Sequence, residues 1–173
     1  MYKELTPNQS RYLISPTVVN LVTSNDGTKT NIATIGNCII LSKDPVLVGI
    51  PVSPDRYTHS LIEMNREFVI NIPNQNMEDT VKYCGSVSGR TVDKVEKLGL
   101  KLTTSKAVST KGLDGCLARI ECKVVDSIKP GSHTLFIAEV KSAWVDEKSF
   151  SETWNFNSSS PLLFDFKKYH RIS

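Results

Sequence analysis

The chain has 173 residues, of which 39% are apolar and 23% are charged. These values are typical of one globular domain, here residues 1–173, and they exclude a disordered or fibrous chain. The formal charge is only +3 and the basic residues are scattered, which argues against a nucleic-acid-binding protein. No apolar run approaches the ~20 residues of a membrane-spanning helix, and the first residues lack a secretory signal pattern. We therefore expect a cytoplasmic protein that binds neither nucleic acid nor membrane.

The strongest local signal is that of β-strands. Thr17–Ser24 is rich in β-branched residues and runs into Asn25-Asp26-Gly27-Thr28. Asp-Gly at this place predicts a hairpin, because glycine adopts the positive φ that a tight turn requires. The return strand is predicted over Lys29–Ile35 and continues after Gly36 into Cys38–Leu41. The remaining predicted strands are Val46–Val52, Glu67–Ile72 and a long hairpin, turned at Pro130-Gly131, of Ala118–Ser127 with Thr134–Val145.

The predicted helices are few and short. Each begins at a residue whose side chain is suited to capping: Thr58 before His59–Asn65, Asn76 before Met77–Cys84, and Asp93 before Lys94–Leu98. Six or more strands with so little helix favour a barrel or a sandwich over a doubly wound sheet. The Ser- and Asn-rich stretch after Lys148 predicts a loop, which leads to a docked apolar C-terminal segment.

Several familiar kinds of catalytic or metal site are absent from the sequence. No two glycines are separated by a single residue, so the dinucleotide fingerprint Gly-x-Gly-x-x-Gly does not occur. Gly85-Ser86-Val87-Ser88-Gly89 has valine where a hydrolase elbow needs serine. Three scattered histidines and four cysteines without a Cys-x-x-Cys pair give no metal-ligand pattern. We expect no metal site, and free thiols.

Two polar segments carry the remaining chemical signal. Pro54–His59 follows a predicted strand, and Ser86–Lys94 follows a predicted helix. Each combines a hydroxyl, a cation and backbone N–H groups near a helix start, which suits a phosphate group. The same residues are also compatible with solvated loops that carry surface arginines, and spacing alone leaves both interpretations open.

At these segments the sequence resembles the flavin reductase-like family of FMN-binding split β-barrels. The resemblance covers about residues 11–145, and the tail from Pro161 to Tyr169 resembles the usual end of the family. We expect residues 161–173 to dock on the barrel or on a dimer partner. The matching pieces, in order, are Pro16–Thr23, Asn31–Gly36, Asp44-Pro45, Ser53–Thr58, Phe68–Pro73, Ser88-Gly89-Arg90 with Asp93-Lys94, and Gly131-Ser132-His133 leading into Glu139-Val140.

The resemblance implies a mainly β fold, a six-stranded split β-barrel with a few short helices. It also implies a homodimer with one FMN per subunit near the interface. The ring would lie along Asn31–Gly36, and the ribityl chain and phosphate would meet the two polar segments. Asn71 either contacts the flavin side or simply ends a strand, and His59 is expected at the surface. The implied cofactor-binding residues are Asn31, Ala33, Thr34, Ile35, Gly36, Ser53, Arg56, Thr58, Asn71, Ser88, Gly89, Arg90 and Lys94.

The function implied is that of an FMN-dependent oxidoreductase. NAD(P)H as co-substrate would give hydride to the flavin, which would reduce free flavin, a ferric chelate or a partner protein. His133 corresponds to a histidine at the open face of the flavin in the family, and is the candidate catalytic residue. A turn-stabilising histidine is the alternative for that position. Two other functions stay open: a flavoredoxin-type electron carrier reduced by a redox protein partner, and a cofactor-free binding module.

Overall fold

The protein is described by a computed structural model that covers residues 1–172. Its elements are mostly strands, with four short helices between them. The helices are α1 Pro7–Ser10, α2 Tyr57–Asn65, α3 Glu78–Ser86 and α4 Lys94–Lys97. The strands are β1 Thr17–Val18, β2 Asn20–Asn25, β3 Thr30–Ile35, β4 Ile39–Lys43, β5 Val46–Val52, β6 Glu67–Ile72, β7 Leu102–Thr103, β8 Gly112–Leu113, β9 Ala118–Ile128, β10 Thr134–Val145, β11 Leu163–Phe164 and β12 Tyr169–His170.

One antiparallel sheet organises the molecule. Its seven strands have the order β3-β2-β6-β9-β10-β5-β4, and its two end strands, β3 and β4, are not paired with each other. The mainly β prediction is therefore confirmed, whereas a barrel of six strands is not. From the sequence, Cys38–Leu41 was predicted to continue the strand before it. The structure makes Ile39–Lys43 a separate strand that pairs with β5 at the opposite end of the sheet.

Both faces of the sheet are covered at β2, which explains why β2 is buried at every position. The first apolar core lies on one face of the sheet and includes Val22, Phe68 and Phe136. The second core lies between the other face and α3, α4 and the C-terminal segment, and includes Leu21, Ile32 and Val81. Successive residues of a strand point to opposite faces, so β2 sends Leu21 into one core and Val22 into the other.

The helix starts differ in detail from the sequence prediction. Asp93 does begin α4, where its carboxylate accepts from the N–H groups of Val95 and Glu96. The residue before α2 is Arg56, not Thr58, and no side chain caps that helix. The proposed Asn76 cap is also wrong, because Asn74 accepts from the Asn76 N–H and begins a short 3-10 turn before α3.

The C-terminal segment docks on its own chain. β11 pairs with β1, and β12 pairs with β11. Leu162 is fully buried in the second core. Residues 163–170 therefore pair within their own chain, whereas a contact of this segment with a dimer partner stays a prediction, and Ser173 lies outside the described residues. Within that described part no helix has the length and apolar character of a membrane span.

Asn71 belongs to this framework and not to a ligand site. Its side chain is 0% exposed, its Nδ2 donates to the Leu21 carbonyl at 2.8 Å, and its Oδ1 accepts from the Leu113 N–H at 2.7 Å. These bonds tie β6 to β2 and β8, so both the NH₂ group and the oxygen of the amide are engaged inside the protein. The expected flavin contact of Asn71 is therefore corrected: the residue is a structural link between strands.

Candidate functional site

A cavity of about 700 Å³ lies against β3. Its wall is formed by β3, the segment from the end of β5 to the start of α2, the C-terminal end of α3 with the loop after it, the start of α4, and the turn between β9 and β10. The structure thus brings together most of the site residues that the sequence suggested. Those that line the cavity are Asn31, Ala33, Thr34, Ile35, Gly36, Ser53, Arg56, Thr58, Ser88, Gly89, Lys94 and His133.

The long wall of the cavity is β3, which is an end strand of the sheet. One edge of β3 pairs with β2, so backbone N–H and C=O groups at the other edge remain available to a neighbour or a ligand. The Thr34 hydroxyl donates to the Val81 carbonyl of α3 at 2.6 Å. A Cβ added at Gly85 would lie 3.3 Å from the Thr34 side chain. The C-terminal part of α3 therefore covers β3 closely without filling the cavity.

Lys94 also holds β3 and α3 together. Its ammonium is buried and donates to the carbonyls of Ile32 and Cys84, both at 2.7 Å. Burial lowers the pKa of this ammonium below its usual value. Lys94 lines the cavity, but two of its three N–H donors are already used inside the protein. Its main contact is with the framework, which differs from the phosphate contact that the sequence suggested.

Arg56 is the cation with the greatest freedom to bind a ligand here. It is exposed, lines the cavity and precedes α2. Its guanidinium forms no hydrogen bond or ion pair with any residue among 1–172. No side chain caps α2, and the His59 N–H already donates to the Arg56 carbonyl at 3.0 Å, so the N–H groups of Tyr57 and Thr58 are the ones left open to an acceptor in the first turn. Ser53 and Ser88 add hydroxyls to the same cavity, so this end offers several donors suited to an anion.

Asn31 and Gly89 form a tight junction in the wall. Asn31 Nδ2 donates to Thr58 Oγ1 at 2.9 Å, which joins β3 to α2. Asn31 Oδ1 is buried and has no partner among the described residues. A Cβ at Gly89 would lie only 1.9 Å from that oxygen. Glycine at position 89 is therefore required for the loop to lie against Asn31.

Arg90 does not line this cavity. Its Nη1 donates to the Asp55 carbonyl at 3.0 Å, and its guanidinium carbon lies 5.4 Å from the centre of the Tyr57 ring. It borders a second cavity of about 400 Å³ behind the junction. The guanidinium is thus held by the neighbouring loop, and the placement of Arg90 in a phosphate pocket stays a prediction.

The placement of His133 and His59 was only partly predicted from the sequence. His133 is exposed at the cavity rim, and its Nδ1 lies 2.9 Å from Ser132 Oγ. His59, expected at the surface, is only 8% exposed, and its Nε2 lies 2.8 Å from Thr134 Oγ1. It packs against the Phe136 ring. The position of His59 near a predicted helix start gave no indication of its contact with Thr134, because the two residues are distant along the chain.

Two further cavity residues, Tyr57 and Cys84, were not among the binding residues suggested by the sequence. Burial raises the pKa of the Cys84 thiol to about 11 and that of Cys38 to about 12. Both thiols are therefore protonated at neutral pH, and all four cysteines are free. Among residues 1–172 no group of three His, Cys, Asp or Glu side chains is placed to bind a metal ion.

Comparisons with known proteins agree on one family. The family model described as "Flavin reductase like domain" matches residues 12–173. An uncharacterised protein of Archaeoglobus fulgidus is 39% identical over 112 residues, which are 65% of this chain and 63% of that protein. The chain thus spans less than two thirds of that relative. An NADPH-flavin oxidoreductase of Streptomyces viridifaciens is 27% identical, over 72% of this chain and 64% of its own.

A solved structure extends the likeness to the whole fold. The flavoredoxin of Desulfovibrio vulgaris (Miyazaki F) superposes with a TM-score of 0.89 at 26% identity. The match covers 100% of this chain and 94% of that protein.

The junction at Gly89 gives a test of the site geometry. In Gly89→Ala the new methyl group would meet Asn31 Oδ1 at 1.9 Å and Tyr57 Cδ1 at 3.1 Å. The loop must move away, so we expect unfolding free energy to fall by about 1–3 kcal/mol in urea denaturation. Gly131→Ala is the matched control, since nothing lies within 4 Å of its Cβ position. Equal stability of the two variants would contradict the tight junction.

Proposed function

Because the chain belongs to the flavin reductase-like family, we propose that it holds FMN in the larger cavity and acts as a flavin-dependent oxidoreductase. The observation that carries the proposal is the composition of the cavity wall. A cluster of anion donors lies at one end, and the open edge of β3 runs along the side. This combination matches a molecule with a phosphate at one end and a flat ring with hydrogen-bonding edges at the other.

The donor set fits the phosphate and ribityl chain of FMN. Arg56 supplies a guanidinium that no other described residue engages, and a charge-assisted bond from it to phosphate is strong. Ser53, Ser88 and the uncapped start of α2 supply neutral donors beside it. The buried ammonium of Lys94 adds positive charge within the wall, and two of its three N–H groups are used by the framework. The buried Asn31 Oδ1, which lacks a donor, is an acceptor suited to a ribityl hydroxyl after a small shift of Gly89.

Bound FMN would supply a ring that accepts hydride and passes electrons on. The residues of this chain would orient it. Backbone groups of Ala33–Gly36 would fix the ring edge, while Thr34 and Lys94 hold β3 against α3. The Cys84 thiol stays protonated, because burial raises its pKa to about 11. It therefore adds no charge beside the ring.

His133 would position the nicotinamide of NAD(P)H at the open rim of the cavity. Its Nδ1 is engaged by Ser132 Oγ at 2.9 Å. When the hydroxyl donates to Nδ1, the proton of the neutral ring lies on Nε2. Nε2 then donates to the nicotinamide amide and orients it for hydride transfer, without a proton moving from the imidazole. Electrons would leave to free flavin, a ferric chelate or a redox protein.

A flavoredoxin-type electron carrier is the second candidate, favoured by the superposition on the Desulfovibrio flavoredoxin. An anaerobic titration separates the two functions. Purified protein loaded with FMN is mixed with NADH or NADPH, and absorbance near the flavin band is followed. Rapid bleaching supports the reductase, whereas a yellow protein that stays oxidised supports the carrier. A protein that takes up no FMN contradicts both.

We expect Arg56→Ala to weaken FMN binding by about ten- to a hundredfold, because one charge-assisted hydrogen bond to phosphate contributes roughly 1.5–3 kcal/mol. Riboflavin lacks the phosphate, so its dissociation constant should change little. Fluorescence titration with both ligands measures the difference. Lys101→Ala, which removes an exposed cation outside the cavity, is the control. Equal losses for FMN and riboflavin in Arg56→Ala would refute the phosphate assignment.

We expect His133→Ala to retain the fold and FMN but to slow flavin reduction by NAD(P)H about ten- to a hundredfold, as expected for the loss of one positioning contact. Anaerobic stopped-flow absorbance measures this rate. His170→Ala is the matched control, because His170 is also partly exposed but contacts Asp165 and lies outside the cavity. Reduction of His133→Ala at the wild-type rate would return His133 to a structural role in the turn.

We also propose a homodimer, based on a different surface from the one that the sequence suggested. The apolar C-terminal residues that suggested it are docked on their own chain. The end strand β4 instead carries exposed apolar side chains, Ile39 (48%), Ile40 (77%) and Leu41 (41%), and Val46 (47%) of its partner β5 is exposed as well. Exposed apolar side chains on a strand with one unpaired edge are typical of a protein-interaction surface.

The dimer prediction is tested by light scattering at micromolar concentration. Wild-type protein with bound FMN should have twice the mass of one chain, and Ile40→Asp should shift it to the monomer because a charge enters the apolar contact. Phe156→Asp is the control, since Phe156 is an exposed apolar residue (50%) in another segment. A wild-type monomer that retains FMN would rule out the dimer.

A further inference from the structure

His59 is a buried histidine that the proposed function does not use. It lies in the first turn of α2, and only 8% of its surface is exposed. Its Nε2 lies 2.8 Å from Oγ1 of Thr134, the first residue of β10. Its ring also packs against the Phe136 ring, with 5.1 Å between the two ring centres. Because side chains two positions apart point to the same face of a strand, His59 lies on one face of β10 and contacts both residues there.

The turn that precedes Thr134 carries His133 and has few attachments. Residues 130–133 line the rim of the larger cavity and are all exposed. Their one side-chain hydrogen bond, between Ser132 and His133, is internal to the turn. None of their side chains forms a hydrogen bond to another part of the described chain. The position of His133 therefore depends on the residues at the two ends of the turn.

Thr134 is the end of the turn that leads into the sheet. Its backbone pairs with Val52 of β5, whereas the pairing of β10 with β9 begins only at the next residue, Leu135. The last residue of a strand opens more easily than its interior. The hydrogen bond to His59 gives this end residue a side-chain attachment in addition to its backbone pairing.

His59 is itself firmly placed, because the start of α2 is tied to the sheet and to the residue before it. Thr58 Oγ1 accepts from Asn31 Nδ2 of β3 at 2.9 Å, and the His59 N–H donates to the Arg56 carbonyl at 3.0 Å. A hydroxyl can donate or accept, so the bond between Nε2 and Thr134 Oγ1 forms with either tautomer of the ring and with its protonated form.

We propose that His59 is a positioning residue for hydride transfer, which acts through Thr134 to fix the turn that presents His133 to the nicotinamide. The inference rests on the proposed function. A turn without this attachment would let His133 move at the rim, and the nicotinamide would be held less often in the orientation for transfer. Neither His59 nor Thr134 lies in the wall of the cavity, so loss of their bond should leave FMN binding unchanged.

The test uses a matched pair of variants at Thr134. Thr134→Val removes the hydroxyl but keeps a branched side chain suited to a strand, whereas Thr134→Ser keeps the hydroxyl. We expect Thr134→Val to slow anaerobic reduction of bound FMN by NAD(P)H about three- to tenfold, and Thr134→Ser to restore the rate. His59→Phe, which keeps a ring against Phe136 but has no nitrogen, should lose as much as Thr134→Val. The dissociation constant for FMN should stay within twofold in all three variants.

Thr103→Val is the control substitution. Thr103 is half-buried in β7 and lies outside the cavity, and its hydroxyl forms no hydrogen bond with any residue among 1–172. This variant should therefore keep the wild-type rate. Thermal unfolding of each variant checks that the fold is intact.

Two further readouts separate positioning from a general effect on stability. In a His133→Ala background, Thr134→Val should cause no additional loss of rate, because the side chain that the turn presents has been removed. In FMN-free protein, hydrogen–deuterium exchange of residues 129–134 should be at least threefold faster in Thr134→Val, whereas exchange of β6 should not change.

Three results would overturn the proposal. Reduction of Thr134→Val at the wild-type rate shows that the bond to His59 does not serve the transfer. A full additional loss in the His133→Ala background shows that His59 does not act through His133. Unchanged exchange of residues 129–134 shows that the bond does not hold the turn. A fourth result, wild-type protein whose bound FMN is not reduced by NAD(P)H, overturns the proposed reductase function and the role of His59 with it.

Discussion

The buried ammonium of Lys94 holds the candidate site in place. It donates to a carbonyl of β3 and to a carbonyl of α3, and so sets the distance between an end strand and the helix that covers it. An end strand has one unpaired edge, and the Lys94 contact, together with those of Thr34 to α3 and Asn31 to α2, fixes the position of β3 where no second strand does. Burial of a lysine lowers its pKa and costs solvation free energy. The two carbonyl contacts offset that cost, and the result is a rigid wall with an open edge.

The polar end of the site depends on a second close contact, between Asn31 and Gly89. Asn31 joins β3 to α2 through Thr58, and the loop after α3 lies on its amide. This junction divides the space between the loops into a larger and a smaller cavity. Three cations around this junction have different contacts: Arg56 faces the larger cavity, Lys94 supports the wall, and Arg90 bridges the loops. Residues of the same charge around these two cavities therefore have different roles.

Much of the main sheet and the location of the candidate site followed from the sequence. The Asp-Gly turn, the β-branched runs and the Asp93 cap are local signals, and the hairpins and α4 appear at those places. The cavity residues Asn31–Gly36, Ser53–Thr58 and Ser88-Gly89 were found through the family resemblance. The errors concern residues whose environment comes from distant segments. Asn71 bonds to Leu21 and Leu113, and His59 contacts Thr134; no local pattern encodes either contact.

The sequence by itself determined that the chain is mainly β and that its polar loops follow a strand and a helix. These properties depend on backbone preference and on residue type, both of which act over a few neighbouring positions. Only the tertiary structure decided the seventh strand, the docking of the C-terminal segment on its own chain, and the separate roles of Arg56, Lys94 and Arg90. Those outcomes depend on which carbonyls and rings lie within hydrogen-bonding or stacking distance, and that is fixed only when strands distant in sequence pair and bury their polar groups together.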